Sequence, residues 1–265
     1  MANDIVRSVD GTTIAYERSG QGPTLIAVCG ATCDRALMRP TAQALGQQFT
    51  TINYDRRGRG DSGDTLPYAV EREIEDLAAL IDRAGGSAHL YGHSSGAGLV
   101  LRAVAAGLPV DRFVLHDPPY SPDDAAAQDE ARRFGTTLRG LLREDRRAEA
   151  IELWFRGTGM PDEAVEGLRA SAMWPGLLAV APTLAYDSAV MGDVDRGGAV
   201  PEDIAARAAR PGLVLVGGAS PPFMMEVGRR LADLLPDARH RVLDGQGHVV
   251  PPEILAPTVA EFLAG

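Results

Sequence analysis

Residues 88–100 read AHLYGHSSGAGLV, an apolar strand-like run that ends in Gly92-His93-Ser94-Ser95-Gly96 and then turns helical to about residue 107. The G-x-S-x-G spacing suits a serine on a tight strand-to-helix turn, held in a strained backbone conformation. Small residues two before and two after it let strand and helix approach without collision. With 30 glycines in the chain the pattern alone is weak, because composition can produce it by chance. Its position, at the end of an apolar strand and the start of a helix, makes Ser94 a candidate nucleophile. The competing reading is a Gly-rich turn with an exposed serine.

Outward from that turn, short apolar runs alternate with helical patterns through the first 120 residues, the signature of a parallel sheet wrapped by helices. TTIAYERSG (12–20), TLIAVCG (24–30) and FTTINYDRRG (49–58) read as strands. AVEREIEDLAALIDRAG (69–85) reads as a helix with Ile74, Leu77, Leu80 and Ile81 on one face, and RFVLHDPP (112–119) as the next strand. From Ser121 to about Arg210 strand-like runs disappear. DDAAAQDEARRFGTTLRGLLREDRRAEAIELWF (123–155) is helical, and so is GLRASAMWPGLLAVAPTLAYDSAVM (167–191), broken by Pro175 and Pro182. Strands resume at GLVLVGG (212–218) and HRVLDG (240–245), and APTVAEFLAG (256–265) closes as a helix. The expected organisation is an α/β core of residues 1–120 and 211–265 interrupted by a helical insertion, 121–210, too long for an ordinary connection.

Composition narrows the function. At 265 residues the chain fits one domain with a substantial core, and 45% hydrophobic with 23% charged residues is ordinary for a globular protein. A net charge of −10 argues against a nucleic-acid partner, which would need a basic face. MANDIVRSVDGTT has neither a basic start nor an apolar run, and nothing approaches the ~20 apolar residues of a membrane span. The expected compartment is therefore the cytoplasm, with no membrane partner. Cys29 and Cys33 form no disulfide framework and lack further ligands at metal spacing, so no metal is expected. All 26 basic residues are arginine, which excludes lysine Schiff-base chemistry and lysine-bearing phosphate loops.

A serine needs a base to take its proton. Of the histidines, His89 lies in a strand, His93 in the turn itself, His116 one residue before a carboxylate, and His240 begins a strand. Only His248, in LDGQGHVVPPE, sits in a loop after the last strand, where it can reach over the carboxyl edge of the sheet. The alternative for His248 is a surface histidine beside a Pro-rich turn.

With these pieces in place the chain resembles the α/β-hydrolase superfamily over essentially its whole length. The matching segments are GPTLIAVCGAT (22–32), YDRRGRGDS (54–62), YGHSSG (91–96) and GQGHVVPPE (245–253). The resemblance implies a doubly wound, mostly parallel eight-stranded sheet, a helical lid between the sixth and seventh strands, and the order Ser, acid, His. It also implies an oxyanion hole made by the amides of Ser95 and Ala31, with Cys29-Gly30 standing where His-Gly is common.

The acid is the departure. Most relatives carry Asp after the seventh strand, where this chain has GGASPPFM (217–224), which holds no ionisable side chain. Asp117, ending the sixth strand beside the nucleophile strand, is the favoured acid, and some haloalkane dehalogenases and fungal zearalenone lactonases are similar in placing it there. Ser220→Ala is accordingly expected to leave the triad undisturbed. Asp244 and Asp55 are the rivals, the first close to His248 in sequence and the second suited to a structural role in its loop. Arg59-Gly60-Asp61 spells an adhesion tripeptide, read as coincidence. Trp154, Met160, Met173, Trp174, Leu177 and Met224 are candidate linings of an apolar cavity. The resulting expectation is a cofactor-independent serine esterase, thioesterase or lactonase for a medium-sized apolar small molecule, as a monomer or homodimer. The alternatives are a lyase, C–C cleavage or cyclisation enzyme on the same scaffold, or a ligand-binding receptor with a vestigial triad.

Overall fold

Alternation within four apolar runs explains the sheet. In β3 (Thr24–Val28), Ile26 and Val28 belong to one buried cluster while Leu25 and Ala27 belong to another, and successive side chains of a strand point to opposite faces. The same split recurs in β5 (Ala88–His93), with Leu90 against Tyr91, and in β6 (Val110–His116), with Phe113 and Leu115 against Val114. It recurs again in β7 (Gly212–Gly217), with Val214 and Val216 against Leu213 and Leu215. A strand buried on both faces reads as a continuous apolar run, which is why these four stand out in the sequence.

The computed structural model describes residues 4–265. With β1 (Asp4–Arg7), β2 (Thr13–Ser19), β4 (Thr50–Tyr54) and β8 (Ala238–Leu243), the four strands form an eight-stranded sheet ordered β1-β2-β4-β3-β5-β6-β7-β8. β1 and β2 run antiparallel to their neighbours and the rest is parallel. On one face α2 (Val70–Arg83), α3 (Ser95–Ala105) and α11 (Pro222–Leu234) cover the larger cluster. On the other, α1 (Arg35–Leu45) and α12 (Pro252–Ala264) pack together over the second.

Between β6 and β7 lie α4 (Ala125–Arg143), α5 (Arg147–Gly157), α6 (Asp162–Arg169), α7 (Trp174–Val180), α8 (Leu184–Met191), α9 (Asp193–Arg196) and α10 (Glu202–Ala205). The ends of this segment meet where Ser121 pairs with Ala199 in an isolated parallel bridge. Pro175 does not break a helix but occupies the first turn of α7, where a missing N–H costs nothing, and Pro182 lies in a 3-10 turn. His240 falls inside β8 rather than at its start. Among the described residues no helix is long and apolar enough to cross a membrane.

Candidate active site

Parallel register brings the chemistry together. Gly92 and His93 of β5 pair with Leu115 and His116 of β6, and His116 pairs with Leu215 of β7. The pattern continues one residue past the strand ends: the Ser94 amide donates to the His116 carbonyl at 2.9 Å, and the Asp117 amide to the Leu215 carbonyl at 2.8 Å. Ser94 and Asp117 thus stand side by side at the carboxyl edge. Both have positive φ, +56° and +48°, a conformation that side chains with a Cβ rarely adopt and that clusters at functional sites. Gly92 is required by contact: a Cβ there would lie 2.5 Å from the Gly96 carbonyl oxygen and 2.7 Å from the Ala97 Cα.

His248 comes from the loop after β8, its side chain about one-third exposed (34%), and its Nδ1 is 3.1 Å from Oδ2 of Asp117. Asp117 is fully buried and has two further donors, the Ser220 hydroxyl to Oδ2 at 2.6 Å and the Gly217 amide to Oδ1 at 3.1 Å. Burial works to raise its pKa, but the hydrogen bonds from His248 and Ser220, with smaller help from His116 and Gly217, hold it below the ordinary carboxylate value. The GGASPPFM turn is therefore not idle: contrary to the expectation for Ser220→Ala, Ser220 is bonded directly to Asp117. Asp55 is turned elsewhere, accepting from the amides of Arg35 and Asp61, while Asp244 is exposed.

His93, one residue before Ser94, secures the histidine loop. Its Nε2 donates to the His248 carbonyl at 2.8 Å, and the two rings lie 4.7 Å apart. Burial, and then the facing His248, push its pKa down to about 4, so it is neutral at physiological pH. Nothing in the sequence pattern distinguished this role from an ordinary turn residue.

Gly30 passes directly against the serine, where a Cβ would meet the Ser94 Cβ at 2.8 Å and Oγ at 3.3 Å. This places the turn carrying Ala31 beside Ser94, and Ser95 follows it as the first residue of α3. Cys29 is buried in the second core cluster. Burial raises its thiol pKa, and that of Cys33 to about 12, so neither is poised as a thiolate. Among the described residues no group of three or more His, Cys, Asp or Glu converges as metal ligands would.

Of the candidate lining residues, Trp154, Trp174 and Leu177 gather in one apolar cluster with Leu138, Ile151 and Leu184, and Ala31 packs against it. Met160 lies outside that cluster, Met173 is 53% exposed, and Met224 belongs to the core under α11. Arg59 is buried, so the Arg59-Gly60-Asp61 tripeptide is not displayed.

This sheet order, with a serine turn after β5 and a histidine loop after β8, is that of the alpha/beta hydrolase family, to which the chain belongs: the family model matches residues 25–258. Among solved structures the chain is 48% identical to an alpha/beta hydrolase from Sphaerobacter thermophilus, covering 98% of this chain and 100% of that one with a TM-score of 0.88. It is 40% identical over 119 residues to N-formylmaleamate deformylase of Pseudomonas putida, a match that spans 43% of this chain and 44%, less than half, of that relative. It is 29% identical to 2-(acetamidomethylene)succinate hydrolase of Mesorhizobium japonicum, across 95% of this chain and 91% of that one.

Proposed function

We propose that the chain is a serine hydrolase in which Ser94 is the nucleophile, His248 the general base and acid, and Asp117 the carboxylate that orients His248. The observation that carries this reading is the His248–Asp117 contact of 3.1 Å at the sheet edge where Ser94 occupies a strained turn. Ser94 Oγ attacks the carbonyl carbon and its proton passes to Nε2 of His248, while Nδ1–H donates to Asp117. The amides of Ala31 and Ser95 take up the charge on the carbonyl oxygen. The leaving group departs with the proton from His248, and water, activated by the same ring, releases the acyl group. No cofactor enters the scheme.

Residues 121–210 act as a lid over a core of 1–120 and 211–265. Its cluster around Trp154, Trp174 and Leu177, in contact with Ala31, supports an apolar acyl group, and hence an ester, thioester or lactone of a medium-sized small molecule. A second reading is cleavage of a small N-acyl bond. It is favoured by the names of two relatives, one a deformylase of N-formylmaleamate and the other a hydrolase of 2-(acetamidomethylene)succinate.

The test is labelling with a serine-directed fluorophosphonate, with the adduct mapped to Ser94, followed by turnover of p-nitrophenyl esters, lactones and N-formyl or N-acetyl amides. Label and turnover are expected to vanish in Ser94→Ala, and turnover in His248→Ala. Undiminished labelling of Ser94→Ala refutes the nucleophile. The rank order of esters against amides decides between the two substrate classes.

A further inference from the structure

Asp187 lies on α8, in the segment between β6 and β7, yet its carboxylate is fully buried beside the serine turn. Its oxygens are shared out: Oδ1 accepts from the Ser95 hydroxyl at 2.7 Å and from Arg56 Nη1 at 2.6 Å, and Oδ2 from Arg59 Nη2 at 2.7 Å. Burial opposes its ionisation, but Arg59 and Arg56 outweigh that and hold its pKa below the ordinary carboxylate value. Arg59 then turns its other terminal nitrogen, Nη1, onto the carbonyl oxygens of Gly30 at 2.6 Å and Cys33 at 3.1 Å. Arg56 Nη1 reaches the Cys29 carbonyl at 3.3 Å. One carboxylate therefore ties together the two turns that carry Ala31 and Ser95.

The consequence follows from peptide geometry. The Gly30 carbonyl and the Ala31 N–H belong to one planar trans unit and point to opposite sides of it. Fixing that oxygen on Arg59 aims the N–H away from the guanidinium. Left free, a unit next to glycine could rotate and present its oxygen instead, replacing attraction for a developing oxyanion by repulsion. The turn cannot be stiffened by a side chain at Gly30, because a Cβ would strike Ser94. A charged donor on the carbonyl also polarises the unit and strengthens its N–H as a donor. On the other turn, the Asp187–Ser95 bond fixes the residue whose amide supplies the second donor.

We propose that Arg59 and Asp187 are positioning residues for the oxyanion-binding amides, so that the seating of α8 sets whether the N–H groups of Ala31 and Ser95 are aimed at the reacting oxygen. The proposal rests on the serine-hydrolase reading above. A merely structural ion pair would lower stability without preferring the transition state; a positioning pair changes kcat rather than KM.

The experiment compares wild type with Asp187→Asn, Arg59→Gln and Ser95→Ala, each checked for folding by thermal melting. It measures kcat and KM on a p-nitrophenyl ester and the inhibition constant of a trifluoromethyl ketone, whose hemiketal oxygen occupies the oxyanion position. In Asp187→Asn and Arg59→Gln, kcat is expected to fall roughly 10- to 100-fold, short of the loss of a whole donor, and ketone affinity to fall in parallel. KM should stay within about twofold of wild type. Ser95→Ala removes one hydroxyl and keeps the amide, so it tests the same link with less risk to folding, with an expected loss of several-fold in both quantities. Unchanged kcat and ketone affinity in the folded Asp187→Asn overturn the proposal, as does the same result in Ser95→Ala should the aspartate variant not fold. A wild-type protein that is neither labelled at Ser94 nor active overturns the hydrolase reading itself, a separate outcome visible before any variant is made.

Discussion

Ser220→Ala gives a quantitative test of how Asp117, the proposed acid, is held. The hydroxyl donates to Asp117 Oδ2 at 2.6 Å, in the short range of an O–H bonded to a carboxylate, and both groups are buried. Such a bond contributes about 1.5–3 kcal/mol, and alanine leaves no donor in its place. Asp117 keeps the Gly217 amide and His248, both at 3.1 Å, so it remains ionised at pH 7 with about 2 kcal/mol less support. For a chain of this size the melting temperature should fall by roughly 4–6 °C. The sign with pH is fixed by the depressed pKa of Asp117. Its contribution is present above the unfolded value near 4 and is lost as pH falls through the folded value, so weakening its hydrogen bonds moves that loss to higher pH. The Oδ2 atom, no longer shared, becomes a better acceptor for His248. Turnover at neutral pH should therefore fall only several-fold in kcat. Calorimetry at pH 7 and 5 with kcat at pH 7 provides the assay. A melting temperature within about 1 °C of wild type at both pH values together with an unchanged kcat would refute the argument.

Three further outcomes are expected. Asp117→Asn should lower kcat by on the order of 10³–10⁴ with the melt still cooperative, because the amide cannot support the imidazolium; near-wild-type turnover on the same ester would place the acid elsewhere. Gly30→Ala forces a Cβ to 2.8 Å from the Ser94 Cβ and 3.1 Å from the His93 carbonyl, which should cost about 1–3 kcal/mol and more than tenfold in phosphonate labelling rate; labelling at the wild-type rate would contradict the contact. His93 is held to about 4, chiefly by burial, whereas an unfolded histidine titrates near 6.5, so the unfolded chain binds the extra proton between these values. Its contribution is complete above about pH 6.5 and is lost as pH falls toward 4, by up to about 3 kcal/mol. Urea melts should show a shallower slope over that window in His93→Asn, and identical slopes would exclude this role.

What was legible in the sequence had local cause. β3, β5, β6 and β7 are buried on both faces and advertise themselves as apolar runs, and Ser94 and Asp117 could be placed because each follows such a run directly. β1 was not anticipated, since an edge strand of four largely exposed residues carries no alternation. The helix α11 was hidden by the Pro221-Pro222 pair at its start, which reads as a turn although proline suits the first turn of a helix. The part played by Ser220 is not legible in its turn, because it acts through a hydrogen bond to a residue 103 positions away and carries no charge. The contacts of Asp187 with Ser95, Arg59 and Arg56 span 92, 128 and 131 residues, and no local periodicity encodes such pairings. The candidate lining residues were the least legible, because Trp154 and Met173 look alike as apolar helix residues and only packing separates the cluster from the surface.

The long reach of Asp187 also makes the core depend on the segment outside it. Arg56 is paired with both Glu73 and Asp187, whereas among the described residues Arg59 has Asp187 as its ion-pair partner. Arg59 is buried, so without Asp187 on it the guanidinium would stand in the core without its counter-charge, at a cost of several kcal/mol. The segment between β6 and β7 is therefore part of what makes the core electrically neutral: the loop after β4 can be buried only with a charge that arrives from α8.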